Sequence, residues 1–140
     1  MIIVVGGQTR NAGKTQAVCD IVAATREARW VAVKITPHTH VHRDSPRSDT
    51  ARYLAAGAAE AVLLTPPVSL PAAENLIIES NSIPDVCKPD IFVFVADSQN
   101  PDWKNSARRV AGRADFTVDR RLTQEVLDFI RARMNSGYRT

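Results

Sequence analysis

The fold is decided near the start of the chain by residues 4–15, which read VVGGQTRNAGKT. The apolar run at residues 1–5 predicts a buried strand, and the pattern that begins at Lys14 predicts a helix. A glycine-containing loop that joins such a strand to a helix and ends in Gly13-Lys14-Thr15 is typical of a phosphate-binding P-loop. Backbone N–H groups of this loop and of the helix N-terminus converge on phosphate oxygens. The stretch therefore predicts a nucleotide site.

Two side chains carry the chemistry of this motif. We expect Lys14 to reach the β- and γ-phosphates as a cation, and the Thr15 hydroxyl to hold Mg²⁺, which bridges the same phosphates. The residues expected to surround the nucleotide are Gly7, Asn11, Ala12, Gly13, Lys14, Thr15 and Gln16.

The loop departs from the common P-loop pattern at Gln8. That pattern places four residues between its first Gly and the Gly-Lys pair, so Gln8 stands where the first Gly is expected and Gly7 lies one residue earlier. Either the loop is one residue longer than usual, or Gln8 adopts a backbone conformation usually given to glycine, at a cost of about 1 kcal/mol or more. The structural alternative is an ordinary strand-to-helix turn with a solvated Lys14.

Outward from the loop, apolar runs alternate with helical patterns. Strands are predicted at residues 30–35, 61–65, 75–79, 90–95 and 114–118, and helices at 14–27, 50–56, 105–112 and 121–135. Such alternation implies a mainly parallel sheet sandwiched by helices, which is the three-layer α/β fold of P-loop NTPases. The 140 residues are predicted to form a single nucleotide-binding domain.

Two of the predicted helices carry further signals. Ser48 or Asp49 is a natural N-cap for the second helix, and Gly57 is well placed to end it. The last helix has an apolar stripe that we expect to face the core. That stripe consists of Leu122, Val126, Phe129, Ile130 and Met134.

Acidic residues follow several of the strands. The buried strand at residues 75–79 ends in Glu79, a Walker-B pattern in which the carboxylate could hold Mg²⁺ or orient a water. Asp97 and Asp119 also end strands, and all of these ends should meet at one crevice. Together with Lys14, Glu79 and Asp49 are the predicted catalytic residues, because either acid could hold the metal's waters or place an attacking water. The alternative for each acid is capping or solvation.

The polar stretch after the second strand contains His38, His40 and His42. Their spacing of two would place them on one face of an extended chain, which allows either a metal site or polar contacts near a ligand. Arg10, inside the loop, could contact a γ-phosphate as an arginine finger does, or remain solvated.

Composition argues against several classes of protein. The net charge is +3, and the arginines of residues 108–121 show no regular interleaving with aromatic residues, so nucleic acid is not an expected partner. No apolar run approaches the roughly 18 residues of a membrane span, and residues 1–5 lack the basic segment of a signal peptide. Cys19, expected in the core, and Cys87 have no metal-ligand spacing, which fits a reducing cytoplasm.

Residues 33–40, 44–50 and 55–58, taken with the P-loop, resemble the molybdopterin-guanine dinucleotide biosynthesis protein B family (MobB). In that family a strand ending in lysine, a histidine-rich segment, an Asp-Ser or Asp-Thr pair, an Ala-Gly-Ala ending and a strand ending in Glu-Gly follow the P-loop. Here Ser80 replaces the Gly of the last pair. The residues that match are Gly13, Lys14, Thr15, Lys34, Asp44, Asp49, Gly57 and Glu79.

The resemblance implies a GTP-binding, Mg²⁺-dependent protein with low intrinsic hydrolysis that aids attachment of GMP to molybdopterin, often as a homodimer with a partner nucleotidyltransferase. The residues alone do not decide between GTP and ATP, because no Asn-Lys-x-Asp run follows the strand at 90–95. Asp97 or Asp119 could nevertheless accept hydrogen bonds from guanine. Two other functions also remain open. One is a small-molecule kinase, with residues 38–47 and 80–82 as its acceptor pocket, and the other is an adaptor that binds nucleotide without hydrolysis.

Overall fold

The computed structural model describes residues 1–9, 12–36, 48–80 and 87–137. Within these ranges the strands are β1 (Ile2–Gly7), β2 (Val31–Ile35), β3 (Glu60–Leu64), β4 (Leu76–Glu79), β5 (Ile91–Ala96) and β6 (Phe116–Asp119). The helices are α1 (Lys14–Ala24), α2 (Asp49–Ala56), α3 (Asn105–Ala111) and α4 (Gln124–Gly137), and a short 3₁₀ turn covers Arg26–Ala28. The strands form one parallel sheet in the order β3-β2-β4-β1-β5-β6.

Helices cover both faces of this sheet. One face packs against α1, α2 and α4, and its core includes Val5 and Ile77. The opposite face, which includes Val4 and Ile78, packs against α3 and neighbouring segments. Consecutive residues of a strand lie in different clusters because their side chains alternate between the two faces. The predicted three-layer α/β fold is therefore confirmed.

The strand order places β1 at the centre, between β4 and β5. The chain leaves β1 towards β2, returns to β4, and then crosses to β5 on the other side of β1. The direction of winding thus reverses beside β1, and a crevice is expected outside the carboxyl ends of strands at such a point. The register also sets Glu79 opposite Val5 of β1 and Lys34 of β2, at that same edge.

The predicted strands and helices are all present, but the end of α1 and the start of α4 are each shifted by three residues. Helix α1 ends at Ala24 instead of continuing to residue 27, because the Thr25 backbone leaves the helical region and its hydroxyl donates to Ile21 O at 2.6 Å. Helix α4 begins at Gln124 instead of residue 121, where the Thr123 hydroxyl accepts from Val126 N at 3.3 Å. Hydrogen bonds of threonine side chains set both helix ends, and the periodicity of apolar residues does not predict such bonds.

The apolar stripe of α4 is narrower than predicted. Val126, Ile130 and Met134 are buried, but Phe129 is 40 % exposed and makes an edge-type contact with Phe116, at 4.9 Å between ring centres. Among the described residues β6 is an edge strand of the sheet, so the side of α4 that carries Phe129 lies at the sheet's edge.

The predicted ends of α2 are confirmed. The Ser48 hydroxyl accepts from Ala51 N at 3.2 Å and caps the helix, and Gly57 ends it in the left-handed region with φ 118°. Since Ser48 is the cap, Asp49 is left to make a different contact. Cys19 is buried, as predicted. No helix in the described part of the chain is long and apolar enough to cross a membrane.

Candidate functional site

The turn between β1 and α1 is closed by Gly13, which has φ 111° and ψ 19°. A Cβ at this position would lie 2.5 Å from the carbonyl oxygen of Arg120, in the segment that follows β6. Only glycine fits, both for its left-handed backbone and for the close approach of that carbonyl. Gly13 supplies no side-chain cap, so the first turn of α1 offers its backbone amides to an anion.

Lys14 folds back across the end of β1. A Cβ at Gly7 would lie 2.5 Å from Cγ and 2.7 Å from Cδ of Lys14, so the lysine stem occupies the space that a larger residue at position 7 would need. Burial lowers the pKa of the Lys14 amine, and the nearby Glu79 carboxylate opposes that shift. The Lys14 side chain thus lies beside Gly7 at the carboxyl end of the central strand, and its contact with phosphate stays a prediction.

Glu79 is the buried acid of the site, with 3 % of the residue exposed. Its Oε1 accepts from Thr15 Oγ1 at 2.7 Å and from Tyr53 Oη at 2.5 Å, and its Oε2 accepts from Lys34 Nζ at 3.1 Å. The two predicted metal ligands, Thr15 and Glu79, are therefore in direct contact. Because Thr15 donates its proton to Glu79, the lone pairs of its hydroxyl oxygen remain for a cation.

Asp49 joins the site through Lys34. The Lys34 ammonium donates to both Asp49 and Glu79 and so lies between two carboxylates. Burial lowers the pKa of Lys34, but the charges of Glu79 and Asp49 outweigh this effect and raise it above its ordinary value. The predicted catalytic residue Asp49 is thus paired with a cation in the site.

Three residues on one face of α2 contact this site. Asp49, Arg52 and Tyr53 stand at i, i+3 and i+4, which places them side by side. Arg52 Nη2 donates to Gln16 Oε1 at 3.0 Å, and Gln16 Nε2 donates to Asp20 at 2.9 Å. The Gln16 side chain ties α1 to α2, and the predicted place of Gln16 around the nucleotide stays a prediction. Its backbone N–H is what it can offer to a ligand.

Gln8 does not take the place of a glycine. Its φ is not positive, which excludes the glycine-like conformation and leaves the other alternative, a loop one residue longer than the common pattern. Its side chain is 1 % exposed. Gln8 Nε2 donates to Asn100 O at 2.6 Å and to Asp102 O at 3.0 Å, while Oε1 accepts from Asp97 N at 2.9 Å. Gln8 therefore fastens the segment after β5 to the start of the loop.

The acidic residues at the ends of β5 and β6, Asp97 and Asp119, accept hydrogen bonds from neighbouring loop residues. Asp119 accepts from Ser98 N and Ser98 Oγ, each at 2.8 Å, and these bonds lower the pKa of Asp119. Asp97 accepts from Gln99 N at 3.0 Å and lies 3.9 Å from Arg120 Nε. Recognition of guanine by either acid stays a prediction.

Several predicted residues lie outside the described ranges. Of the loop residues predicted to surround the nucleotide, Ala12 lies inside these ranges, and its backbone N–H donates a hydrogen bond to Thr9 O at 3.3 Å. The kinase acceptor pocket falls largely on residues 38–47 and 81–82, which are not described. Also outside those ranges are Arg10, Asn11, His38, His40, His42 and Asp44.

The donor set suits a magnesium ion. Within residues 1–9, 12–36, 48–80 and 87–137, no group of three or more His, Cys, Asp or Glu residues could hold a metal. Thr15 and Glu79 offer only oxygen atoms, one from a hydroxyl and two from a carboxylate. Mg²⁺ prefers oxygen ligands, keeps several waters, and is often bound by one or two protein groups together with substrate phosphates. These residues therefore fit Mg²⁺ on a nucleotide better than they fit a metal caged by protein.

The sequence reasoning missed Tyr53 and the bridging role of Lys34. Tyr53 stands four residues after Asp49, so its shared helix face was a usable signal. Lys34 is the one charged residue of β2, beside the strand that ends in Glu79. Neither signal is a motif, because the Tyr53 contact depends on how α2 docks on the sheet and the Lys34 contact on which strands become neighbours.

Comparisons with known proteins add no relative. No protein-family model matches this chain, and no curated protein or solved structure matches it either. The α/β fold, with its six-stranded parallel sheet and its strand–loop–helix start, is consistent with a P-loop NTPase-type architecture.

Proposed function

We propose that this protein binds a nucleoside triphosphate, GTP or ATP, together with Mg²⁺, and hydrolyses it slowly. The observation that carries the proposal is the junction of β1 and α1. There Lys14 folds across Gly7, and Thr15 donates to Glu79 at 2.7 Å. A cation, a helix N-terminus and a hydroxyl–carboxylate pair converge at one strand end, which is the set of groups that a magnesium triphosphate requires.

Each group would have a distinct role. The Lys14 ammonium and the amides of the first turn of α1 would neutralise phosphate oxygens. Thr15 would ligate Mg²⁺, and Glu79 would hold the hydroxyl and the metal's waters in place. When bound, the ion supplies further charge neutralisation at the phosphates. Such sites work by positioning and electrostatics and need no covalent step on the protein.

The proposed low turnover is supported by the state of the two acids. Glu79 accepts from three side chains, and Asp49 is paired with Lys34. A carboxylate with its oxygens engaged in this way is a poor base for an attacking water. Hydrolysis would then depend on rearrangement of these contacts or on a partner that supplies another group.

The resemblance to the MobB family extends the proposal. We propose that the chain aids molybdopterin guanine dinucleotide biosynthesis in the cytoplasm, with a partner nucleotidyltransferase or molybdopterin, and as a homodimer. The motifs of residues 33–58 and Glu79 support this part. The contacts described above support the nucleotide site.

Calorimetric titration of GTP and ATP, each with and without Mg²⁺, tests the nucleotide site. We expect Lys14→Ala to reduce affinity about 100-fold or more, because charge-assisted bonds to phosphate are lost from a partly desolvated site. Lys88→Ala is the matched control, since Lys88 is exposed and lies before β5, at the opposite edge of the sheet. Wild-type protein that binds neither nucleotide, or Lys14→Ala that retains wild-type affinity, contradicts the proposal.

The products distinguish the alternatives. Slow release of phosphate without an acceptor supports the NTPase. Release of GDP or ADP that requires a small acceptor molecule indicates a kinase, and binding without turnover indicates an adaptor.

A further inference from the structure

Tyr53 is the strongest polar feature of the site that the proposed function leaves without a role. The residue is fully buried in α2, at 0 % exposure, and its hydroxyl donates to Glu79 Oε1 at 2.5 Å. This contact joins residues that are 26 positions apart in the chain. Burial of a hydroxyl is unfavourable unless a partner satisfies it, and here the partner is the acid of the candidate metal site.

The same carboxylate oxygen serves two hydroxyls. Thr15 Oγ1 donates to Glu79 Oε1 at 2.7 Å, beside the bond from Tyr53, while Lys34 approaches the other oxygen at 3.1 Å. Donors on both oxygens restrict rotation of the carboxylate about its last torsion. Tyr53 therefore helps to fix the position of Oε1, the oxygen that accepts the hydrogen bond from Thr15.

Helix α2 fixes the Tyr53 hydroxyl in turn. Ser48 caps the helix, Asp49 pairs with Lys34, and Arg52 donates to Gln16 of α1 at 3.0 Å. The Tyr53 ring lies in the same core cluster as residues of α1 and α4. Tyr53 thus donates to Glu79 from a helix that several independent contacts anchor.

We propose that Tyr53 is a positioning residue for Mg²⁺, which acts through Glu79 and has no contact of its own with nucleotide or metal. By holding Oε1, it keeps the Thr15 hydroxyl turned so that its proton points to Glu79 and its lone pairs serve the ion. The inference rests on the proposed function. Outer-shell partners of metal sites that act in this way typically change metal affinity about 10- to 100-fold when removed.

The first test is Tyr53→Phe in the full chain. We expect the affinity of the protein–nucleotide complex for Mg²⁺, or for Mn²⁺ followed by electron paramagnetic resonance, to fall about 10- to 100-fold. Nucleotide affinity measured without metal should stay at the wild-type value, because Tyr53 does not contact phosphate. Wild-type metal affinity in Tyr53→Phe overturns the inference while leaving the nucleotide site intact. A wild-type protein that binds no magnesium nucleotide overturns both proposals.

The matched control is Thr25→Val. Thr25 is 1 % exposed, donates to Ile21 O at 2.6 Å and accepts from Trp30 Nε1 at 2.8 Å, so its loss also removes a buried hydroxyl from the α1 side of the sheet. It lies at the far end of α1 from Thr15. We expect lower thermal stability with unchanged metal affinity. An equal loss of metal affinity in Thr25→Val would mean that general destabilisation explains Tyr53→Phe.

A double-variant cycle tests whether Tyr53 acts through Glu79. In the Glu79→Gln background, Tyr53→Phe should cause little further loss of Mg²⁺ affinity, because the group that it positions is already altered. Losses that simply add would show that Tyr53 acts by another route and would overturn the inference.

A spectroscopic measurement covers the case in which Tyr53→Phe does not fold. The chain contains two tyrosines, so 3-fluorotyrosine gives two fluorine resonances, which Tyr138→Phe assigns. We expect the Tyr53 resonance to move when Mg²⁺ is added to the nucleotide complex, and this movement to be absent in Glu79→Gln. A Tyr53 resonance that does not respond to Mg²⁺ overturns the inference.

Discussion

Gln8 shows how a single residue can change the role of a loop position. A glycine at that point of a P-loop serves the backbone alone, whereas Gln8 uses an ordinary backbone and a buried amide that bonds to three main-chain groups. Those groups belong to residues 97–102, after β5. The longer loop is therefore hydrogen-bonded, through Gln8, to the segment that follows the neighbouring strand β5.

Gln8→Gly, which restores the glycine of the common motif, should destabilise the folded protein. The change removes three hydrogen bonds and adds backbone freedom, so we expect the free energy of unfolding to fall by about 2–4 kcal/mol. Urea unfolding measures this difference. Gln99→Gly, at an exposed position in the segment that Gln8 holds, is the control and should cost about 1 kcal/mol or less. A Gln8→Gly protein as stable as the wild type would contradict the role assigned to Gln8.

Glu79→Gln tests the acid at the centre of the site. The substitution keeps the size of the side chain but removes the negative charge that faces Thr15, Lys34 and Tyr53. We expect Mg²⁺ affinity in the presence of nucleotide to fall about tenfold or more, with a smaller change in metal-free nucleotide affinity. Calorimetry with metal as the titrant measures both quantities. An unchanged Mg²⁺ titration would remove Glu79 from the metal site, and a larger effect of Asp49→Asn would assign that role to Asp49.

At the scale of elements, the junction of β1 and α1 depends on two glycines for different reasons. Gly13 has a positive φ and meets the Arg120 carbonyl, so its requirement is in the backbone. Gly7 lies in a strand, and what it accommodates is the stem of Lys14. The junction can therefore be disturbed at Gly7 without straining the turn itself.

Gly7→Ala should displace Lys14 and spare the fold. The new Cβ would lie 2.5 Å from Cγ of Lys14, so the side chain has to leave its path across β1. We expect nucleotide affinity to fall about tenfold or more, with only a small drop in melting temperature, because the new Cβ also comes within 3.3 Å of Val95 O. Gly112→Ala is the control, because nothing lies within 4 Å of a Cβ at that position and its φ is −68°. Wild-type affinity in Gly7→Ala would show that Lys14 has another productive path.

The elements were predictable from the sequence, as was the position of Lys14 and Thr15 at the start of α1, but the contacts of Tyr53 and Lys34 with Glu79 were not. Apolar periodicity predicts strands and helices because burial of one face determines both the pattern and the structure. Lys14 and Thr15 are adjacent in a motif, so their placement needs no tertiary information. The contact of Tyr53 with Glu79 depends on how α2 docks on β4, which a linear pattern does not encode. The end of α1 depends in the same way on the bonds of the Thr25 hydroxyl.

At the scale of the whole molecule, the candidate site links elements that are distant in the chain. Lys34 in β2, Glu79 in β4 and Tyr53 in α2 meet Thr15 of α1, and Gln8 extends the connections to the segment after β5. Because these contacts join both halves of the sheet at its carboxyl edge, a ligand bound there would hold most of the fold together.

Magnesium nucleotide should therefore raise the melting temperature of the entire chain in one transition. A ligand at 100 times its dissociation constant stabilises the native state by about 2.7 kcal/mol, which for 140 residues corresponds to roughly 10 °C. Scanning calorimetry measures the shift, and Lys14→Ala, which should shift by only about 1–2 °C or less under the same conditions, is the control. Nucleotide without Mg²⁺ should give a smaller rise, because Thr15 and Glu79 then make no contribution to binding. A second transition whose temperature does not change with the ligand would mean that part of the chain folds independently of the sheet around β1. The predicted single domain would then be wrong.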